Sequence, residues 1–136
     1  MEGQGTLKTL AGDIYVGKFK NGFKHGKGKI SYINGVSSYE GDWNYNKIEG
    51  EGISIDELGN RYEGRFVGNM RNGQGTCDYA SDRSRFIGIW QNNLPLKGQL
   101  ILEDGTLFDG DWRDDMFSGV GTITWPNGDA YQGEWK

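Results

Sequence analysis

The chain has 136 residues, the length of one ordinary domain, and its 24 glycines with 35% hydrophobic residues would by themselves suit a low-complexity coil. Its aromatics (five Trp, seven Tyr, six Phe) exclude that reading, because a solvated coil has no use for so many rings. The formal charge of −4 is divided unevenly: residues 1–36 carry six lysines against two carboxylates, and residues 37–136 carry nine basic groups against seventeen acidic ones. Such asymmetry can orient a long molecule towards different partners at its two ends, or reflect no more than solvated faces of mixed sign. No window holds the ~18 consecutive apolar residues of a membrane-crossing helix, and Met1 to Gln4 open neither a basic nor an apolar leader. A soluble, cytoplasmic protein is the expectation. The single cysteine, Cys77, has no internal disulfide partner and reads as a buried filler or a reactive thiol.

In chain order, residues 3–14 look irregular until they are set beside the end of the chain. Gly3-Gln4-Gly5, Gly12 and Tyr15 have the spacing of Gly119-Val120-Gly121, Gly128 and Tyr131, so the chain opens in mid-repeat. Full units then occupy 15–38, 39–61, 62–85, 86–107 and 108–130, and a partial unit occupies 131–136. Each begins with an aromatic, a glycine and a second aromatic at alternate positions: Tyr15-Val16-Gly17-Lys18-Phe19, Tyr39-Glu40-Gly41-Asp42-Trp43, Tyr62-Glu63-Gly64-Arg65-Phe66, Phe86-Ile87-Gly88-Ile89-Trp90 and Phe108-Asp109-Gly110-Asp111-Trp112. Tyr131-Gln132-Gly133-Glu134-Trp135 begins the last. A period of ~23 residues marks a repeat array.

Within each unit a polar connection (Lys20-Asn21-Gly22 in the first, Arg113-Asp114-Asp115 in the fifth) leads to a Gly-x-Gly segment, and a turn follows near Gly35, Gly59, Asp82, Gly105 or Gly128. Alternation at period two between such turns predicts hairpins, and no stretch has helical periodicity. The alternation also assigns faces. The two aromatics and the glycine share one side of the sheet, while residues such as Glu40 and Asp42 take the other. In the second strand both glycines fall with Ile30 and Tyr32, or with Cys77 and Tyr79, leaving gaps for neighbouring rings. The predicted fold is all-β: an elongated, single-layer, twisted antiparallel sheet of stacked β-hairpins, about 12 strands in all.

Tyr-x-Gly-x-Trp followed by Gly-x-Gly seven residues past the second aromatic, in tandem units, resembles the MORN (membrane occupation and recognition nexus) repeat over residues 3–135. The resemblance implies a rod of stacked hairpins with an aromatic groove along one face. It also implies a scaffold at cytoskeletal or membrane-associated assemblies, often dimeric, and sometimes a module fused to an enzyme such as a lipid kinase or a methyltransferase.

The fourth unit departs from the pattern. Leu96 stands at the first-glycine position, Pro95 lies in a connection one residue short, and Ile87, Ile89 and Ile101 fall on the face that elsewhere carries charge or hydroxyl groups. Those isoleucines mark an outer-face contact or are apolar residues tolerated in water.

Several chemistries are excluded. Gly26-Lys27-Gly28 sits in an alternating strand and opens no helix, so its amides cannot cradle a phosphate. The run from Asp109 to Asp115 puts Arg113 where a calcium loop needs an oxygen ligand and has no glycine at position six. One histidine and one cysteine make neither a zinc cluster nor a nucleophile pair. No metal, cofactor or catalysis is expected.

Binding is expected instead. Tyr15, Phe19, Tyr39, Trp43, Tyr62, Phe66, Phe86, Trp90, Phe108 and Trp112 would form a ladder that stabilises the sheet and anchors a protein or peptide partner in part of its groove. Lys18, Lys20, Lys27 and Lys29 on the opposite face, with Lys24 and His25 in the connection between, would attract an acidic peptide or an anionic membrane. Nucleic acid is not expected, because the rings point away from the lysines and cannot stack on bases there. Tyr131 and Trp135 on the last strand would pair with Gly3 to Leu7 of another copy, or the chain is a cut from a longer array. The expected role is a non-catalytic scaffold, at the cytoskeleton or the membrane periphery, that binds proteins through its groove. The alternatives are a membrane-surface adaptor acting through the lysine patch and a regulatory module of an enzyme.

Overall fold

The computed structural model describes residues 2–113 and 116–135, with strand positions alone for Met116, Phe117 and Trp135. Asp114 and Asp115, and with them the fifth polar connection, lie outside the described residues. The strands are β1 (Gly3–Lys8), β2 (Ile14–Lys20), β3 (Phe23–Ser31), β4 (Ser38–Asn44), β5 (Lys47–Ile55), β6 (Arg61–Val67), β7 (Met70–Asp78), β8 (Arg85–Gln91), β9 (Leu94–Ile101), β10 (Leu107–Arg113), β11 (Met116–Thr124) and β12 (Ala130–Trp135). They follow one another across one open antiparallel sheet in the order of the sequence, and the described residues contain no helix. The all-β stack of hairpins is therefore the observed architecture.

The tight turns are set by residues that tolerate left-handed backbone. Asn21 and Gly22 (φ 53° and 82°), Tyr45 and Asn46 (45° and 69°), Gly68 and Asn69 (56° and 70°) and Asn92 and Asn93 (49° and 72°) link β2 to β3, β4 to β5, β6 to β7 and β8 to β9. Two consecutive positive φ angles make a type I′ turn, whose twist matches that of the strands it joins. The second residue also clasps the preceding hairpin. Asn46, Asn69 and Asn93 accept the N–H of Lys24, Ile48 and Arg71 through Oδ1 at 2.8, 2.8 and 2.9 Å. Their own N–H groups donate back to the carbonyls of the same three residues at 2.9, 3.0 and 3.0 Å.

Register brings one glycine of every strand into a single row. Gly5, Gly17, Gly28, Gly41, Gly52, Gly64, Gly75, Gly88, Gly98, Gly110, Gly121 and Gly133 are successive cross-strand partners. A methyl at Gly64 would lie 2.5 Å from the Gly75 Cα, and one at Gly75 would lie 2.2 Å from the Tyr62 hydroxyl. The Tyr62 ring occupies that space, and its hydroxyl donates to the Arg65 carbonyl at 2.8 Å. Tyr15 and Tyr39 make the same bond to Lys18 and Asp42.

One detail differs from the sequence expectation. In the first three units only the second glycine of Gly-x-Gly (Gly28, Gly52, Gly75) makes room for a ring. The first (Gly26, Gly50, Gly73, Gly119) sits in a bulge at φ 71° to 104°, and the space of its missing Cβ is bordered by Lys18, Asp42, Arg65 or Asp111 of the opposite face. The strands shift register there, which reverses the simple parity count. In the fourth unit β9 has eight residues where β3, β5, β7 and β11 have nine, and Pro95 pairs with Trp90.

Two outcomes follow for stability. Gly64→Ala should lower unfolding free energy by about 1–3 kcal/mol, because its new methyl meets backbone that cannot yield. Gly59→Asn, at φ 87° with only the Ala80 Cβ at 3.5 Å, should cost less than about 1 kcal/mol in the same urea titration. In alkali, burial raises the Tyr62 phenol to about 12 and also raises Tyr15 and Tyr39. An unfolded tyrosine titrates near ~10, so the folded state holds these protons more tightly. Their contribution is intact below pH ~10 and is lost as pH climbs towards the folded value, so phenolate absorbance and loss of circular dichroism should rise together.

Candidate partner-binding surfaces

The ring face is a continuous edge-to-face chain. Phe19, Tyr15, Trp43, Tyr39, Phe66, Tyr62, Trp90, Phe86 and Trp112 follow one another with centroids 5.1 to 5.4 Å apart. Edge-to-face pairs at this spacing set the positive rim of one ring against the negative face of the next. Each indole also ties its unit to the one before: Trp43, Trp90 and Trp112 donate through Nε1 to the carbonyls of Gly28, Gly75 and Gly98 at 2.9, 3.1 and 3.2 Å.

These rings are not an open groove. Tyr15, Phe19, Tyr39, Trp43, Tyr62, Phe66, Phe86, Trp90 and Trp112 are buried, and Phe108 is half-buried against them. A single layer has no second sheet to lean on, so the rings cover each other and serve as the core. What a partner meets is the residue seated above each ring junction. Lys24 Nζ lies 5.8 Å from the Tyr15 ring centre and 5.5 Å from that of Trp43, and the Arg71 guanidinium lies 5.5 Å from Tyr62 and 5.3 Å from Trp90. Such placements draw on the ring quadrupoles.

In the second unit the position paired with the second aromatic holds Ile48, and in the fourth it holds Pro95. Beside Pro95 a depression of about 240 Å³ opens, lined by Tyr79, Ser84, Phe86, Leu100 and Trp112. The fourth unit thus lacks the long cationic side chain found over the rings of the first and third.

Lys24 is accordingly not part of the cationic patch. The turn is only Asn21-Gly22, so Lys24 already lies in β3, opposite Phe19 and on the ring side. Lys18, Lys20, Lys27 and Lys29 are exposed on the other side, as alternation predicts. Lys27 is paired with Asp42, and Lys29 stands opposite Glu40. Partial burial alone would raise the Asp42 carboxyl, but the Lys27 ammonium and the Glu51 N–H hold it below the ordinary carboxylate value. His25 is half-buried against Tyr45, with ring centres 4.6 Å apart.

On the same outer side, Ile87 and Ile101 are half-buried and Ile89 is 38% exposed. Leu107 stands directly opposite Ile101 and extends this patch. Sequence reasoning passed over Leu107, although its place one residue before Phe108 puts it on the outer side. Ile14, Val16, Ile53 and Ile55 are outer-side residues by the same rule and were also passed over. Tyr131 is half-exposed, and of Trp135 only its place in β12 is described. Cys77 is fully buried, and desolvation raises its thiol, which suits a core filler. Among the described residues no group of His, Cys, Asp and Glu is arranged to hold a metal.

The MORN repeat model matches residues 15–37, 39–56, 62–82 and 108–130. These segments are the hairpins β2–β3, β4–β5, β6–β7 and β10–β11, and the divergent fourth unit falls between matches. No curated protein matches by sequence. Among solved structures, the SAS-4 (dCPAP) TCP domain of Drosophila melanogaster, in complex with a proline-rich motif of Ana2 (dSTIL), is similar at 15% identity; 97% of this chain and 90% of that chain are covered, with a TM-score of 0.42. With more than half of its residues matched, hairpin by hairpin, the chain belongs to the MORN repeat family.

Proposed function

We propose that the chain is a non-catalytic scaffold that holds a protein partner against its ring side, with the fourth unit as the anchor point. The observation that carries this reading is the depression beside Pro95. Lys24 and Arg71 lie over the ring junctions of the first and third units, whereas beside Pro95 the buried Phe86 and Trp112 form the floor of a depression with Tyr79 and Leu100. An apolar side chain of an extended segment would find there a preformed depression with aromatic and aliphatic lining, edged by Asp82 and Ser84, the setting in which interface anchors concentrate binding energy.

The anionic-membrane reading has less behind it. Lys24 is drawn onto the rings and Lys27 is engaged by Asp42, which leaves Lys18, Lys20 and Lys29 for a headgroup. Failure of anionic vesicles to pellet the chain at low salt, where attraction is greatest, would remove that reading altogether.

Pro95→Arg tests the scaffold reading directly, since it places a side chain of the Arg71 kind at the edge of the depression. Displayed peptides selected on the wild-type chain should bind Pro95→Arg at least about tenfold more weakly, a loss of ~1.4 kcal/mol, while its melting curve stays unchanged. Equal binding to both chains would move the partner site off the fourth unit.

A further inference from the structure

The outer side of β2 to β5 has a symmetry that the repeat does not require. Two rows cross these four strands in register, and a third follows them through the bulges. The first reads Ile14, Ser31, Ser38, Ile55: apolar, hydroxyl, hydroxyl, apolar. In the second, Val16 and Lys29 face Glu40 and Ile53, so the apolar residues are again outermost and the central pair is opposite in charge. In the third, Lys27 pairs with Asp42, and Lys18 and Glu51 flank them at the bulges, where the Glu51 N–H donates to the Asp42 carboxylate. Lys20 on β2 and Glu49 on β5 extend this row towards the type I′ turns.

A half-turn about an axis parallel to the strands, along the seam between β3 and β4, carries β2 onto β5 and β3 onto β4. Under that operation the side chains of these rows meet complementary ones. Ile14 meets Ile55, Val16 meets Ile53 and Ser31 meets Ser38. Lys29 meets Glu40, Lys27 meets Asp42, Lys18 meets Glu51 and Lys20 meets Glu49. The lysines involved are exposed, and Ile14 and Val16 are 40% and 50% exposed, with Ile53 and Ile55 half-buried.

We propose that this outer side is a self-association surface, on which two copies of the chain pack face to face about the β3–β4 seam. A two-fold interface must be complementary to itself, and this patch has four cations on one half, four anions on the other, and apolar residues at matched corners. The Lys27–Asp42 pair sits on the axis, so the two copies bring their pairs together as a ring of alternating charge. The fourth and fifth units have no such pattern: there Ile87, Ile89 and Lys97 stand in the corresponding rows.

Four strands at ~4.8 Å spacing and about seven residues in length cover roughly 450 Å² per copy, or about 900 Å² for the pair. That is the size of a weak, transient contact rather than a permanent one, so the dimer is concentration-dependent and weakened by salt. The ring side remains free in it, so partner capture and self-association use opposite faces.

Sedimentation velocity of the full chain tests this with a charge exchange. At ~100 μM in ~50 mM salt the wild type should dimerise, and ~1 M salt should shift it towards monomer. Lys18→Glu/Lys20→Glu and Glu49→Lys/Glu51→Lys should each remain monomeric with unchanged circular dichroism. An equimolar mixture of the two variants should form a heterodimer, because β2 of each then again faces an oppositely charged β5. A wild type that stays monomeric under the low-salt condition overturns the proposal. So does a dimer that both reversals leave intact, which would place the contact on another face such as the strand edges. Folded variants that fail to pair on mixing also overturn it.

Discussion

A tyrosine ring lying on two glycines is the contact from which the rest of this molecule follows. A single-layer sheet has no opposing layer, so its apolar mass must fold down onto its own backbone. Tyr15, Tyr39 and Tyr62 do so over Gly28, Gly52 and Gly75, where the absent Cβ atoms leave a floor at van der Waals distance. Each such ring removes about 150–250 Å² from water, a large share for a chain this size. The same contact fixes register, since a slip of one residue would put a side chain under every ring and turn the apolar face to solvent.

Above that floor the two sides of the sheet have different freedoms. On the ring side, each unit must present an aromatic to the ring before it and another to the ring after it, and variation is confined to the residue over each junction. On the outer side nothing but the strand geometry constrains identity. Cations occupy β2 and β3, anions β4 and β5, and isoleucines β8 and β9, so the outer surface changes character along the row of hairpins while the frame stays constant.

Much of this was legible in the residue order. Tyr39-Glu40-Gly41-Asp42-Trp43 and its copies place aromatics and charges on opposite sides, and the structure keeps that division. The outer placement of Ile87, Ile89 and Ile101 was legible by the same parity. Parity fails where a bulge intervenes, which is why Gly26, Gly50 and Gly73 were assigned a packing role when their need is a positive φ. Lys24 was misplaced because turn length is not written in composition: Lys20-Asn21-Gly22 reads as a connection, yet only Asn21 and Gly22 are needed to turn. Whether the rings form a groove or a core depends on how closely successive hairpins approach. That distance is set by the glycine row and the Asn46, Asn69 and Asn93 clasps, features visible only once strands are paired.

Because each strand bonds only to its neighbours in sequence, the described residues have no strand pairing that must wait for distant segments to meet. Loop closure is short at every step, so formation of the sheet can begin at any adjacent pair of hairpins and spread outwards, as in other linear arrays. Injury follows the same geography. Damage to a middle unit divides the array into two shorter ones, each with its own ring chain intact, whereas damage at β1 or β12 removes only an end.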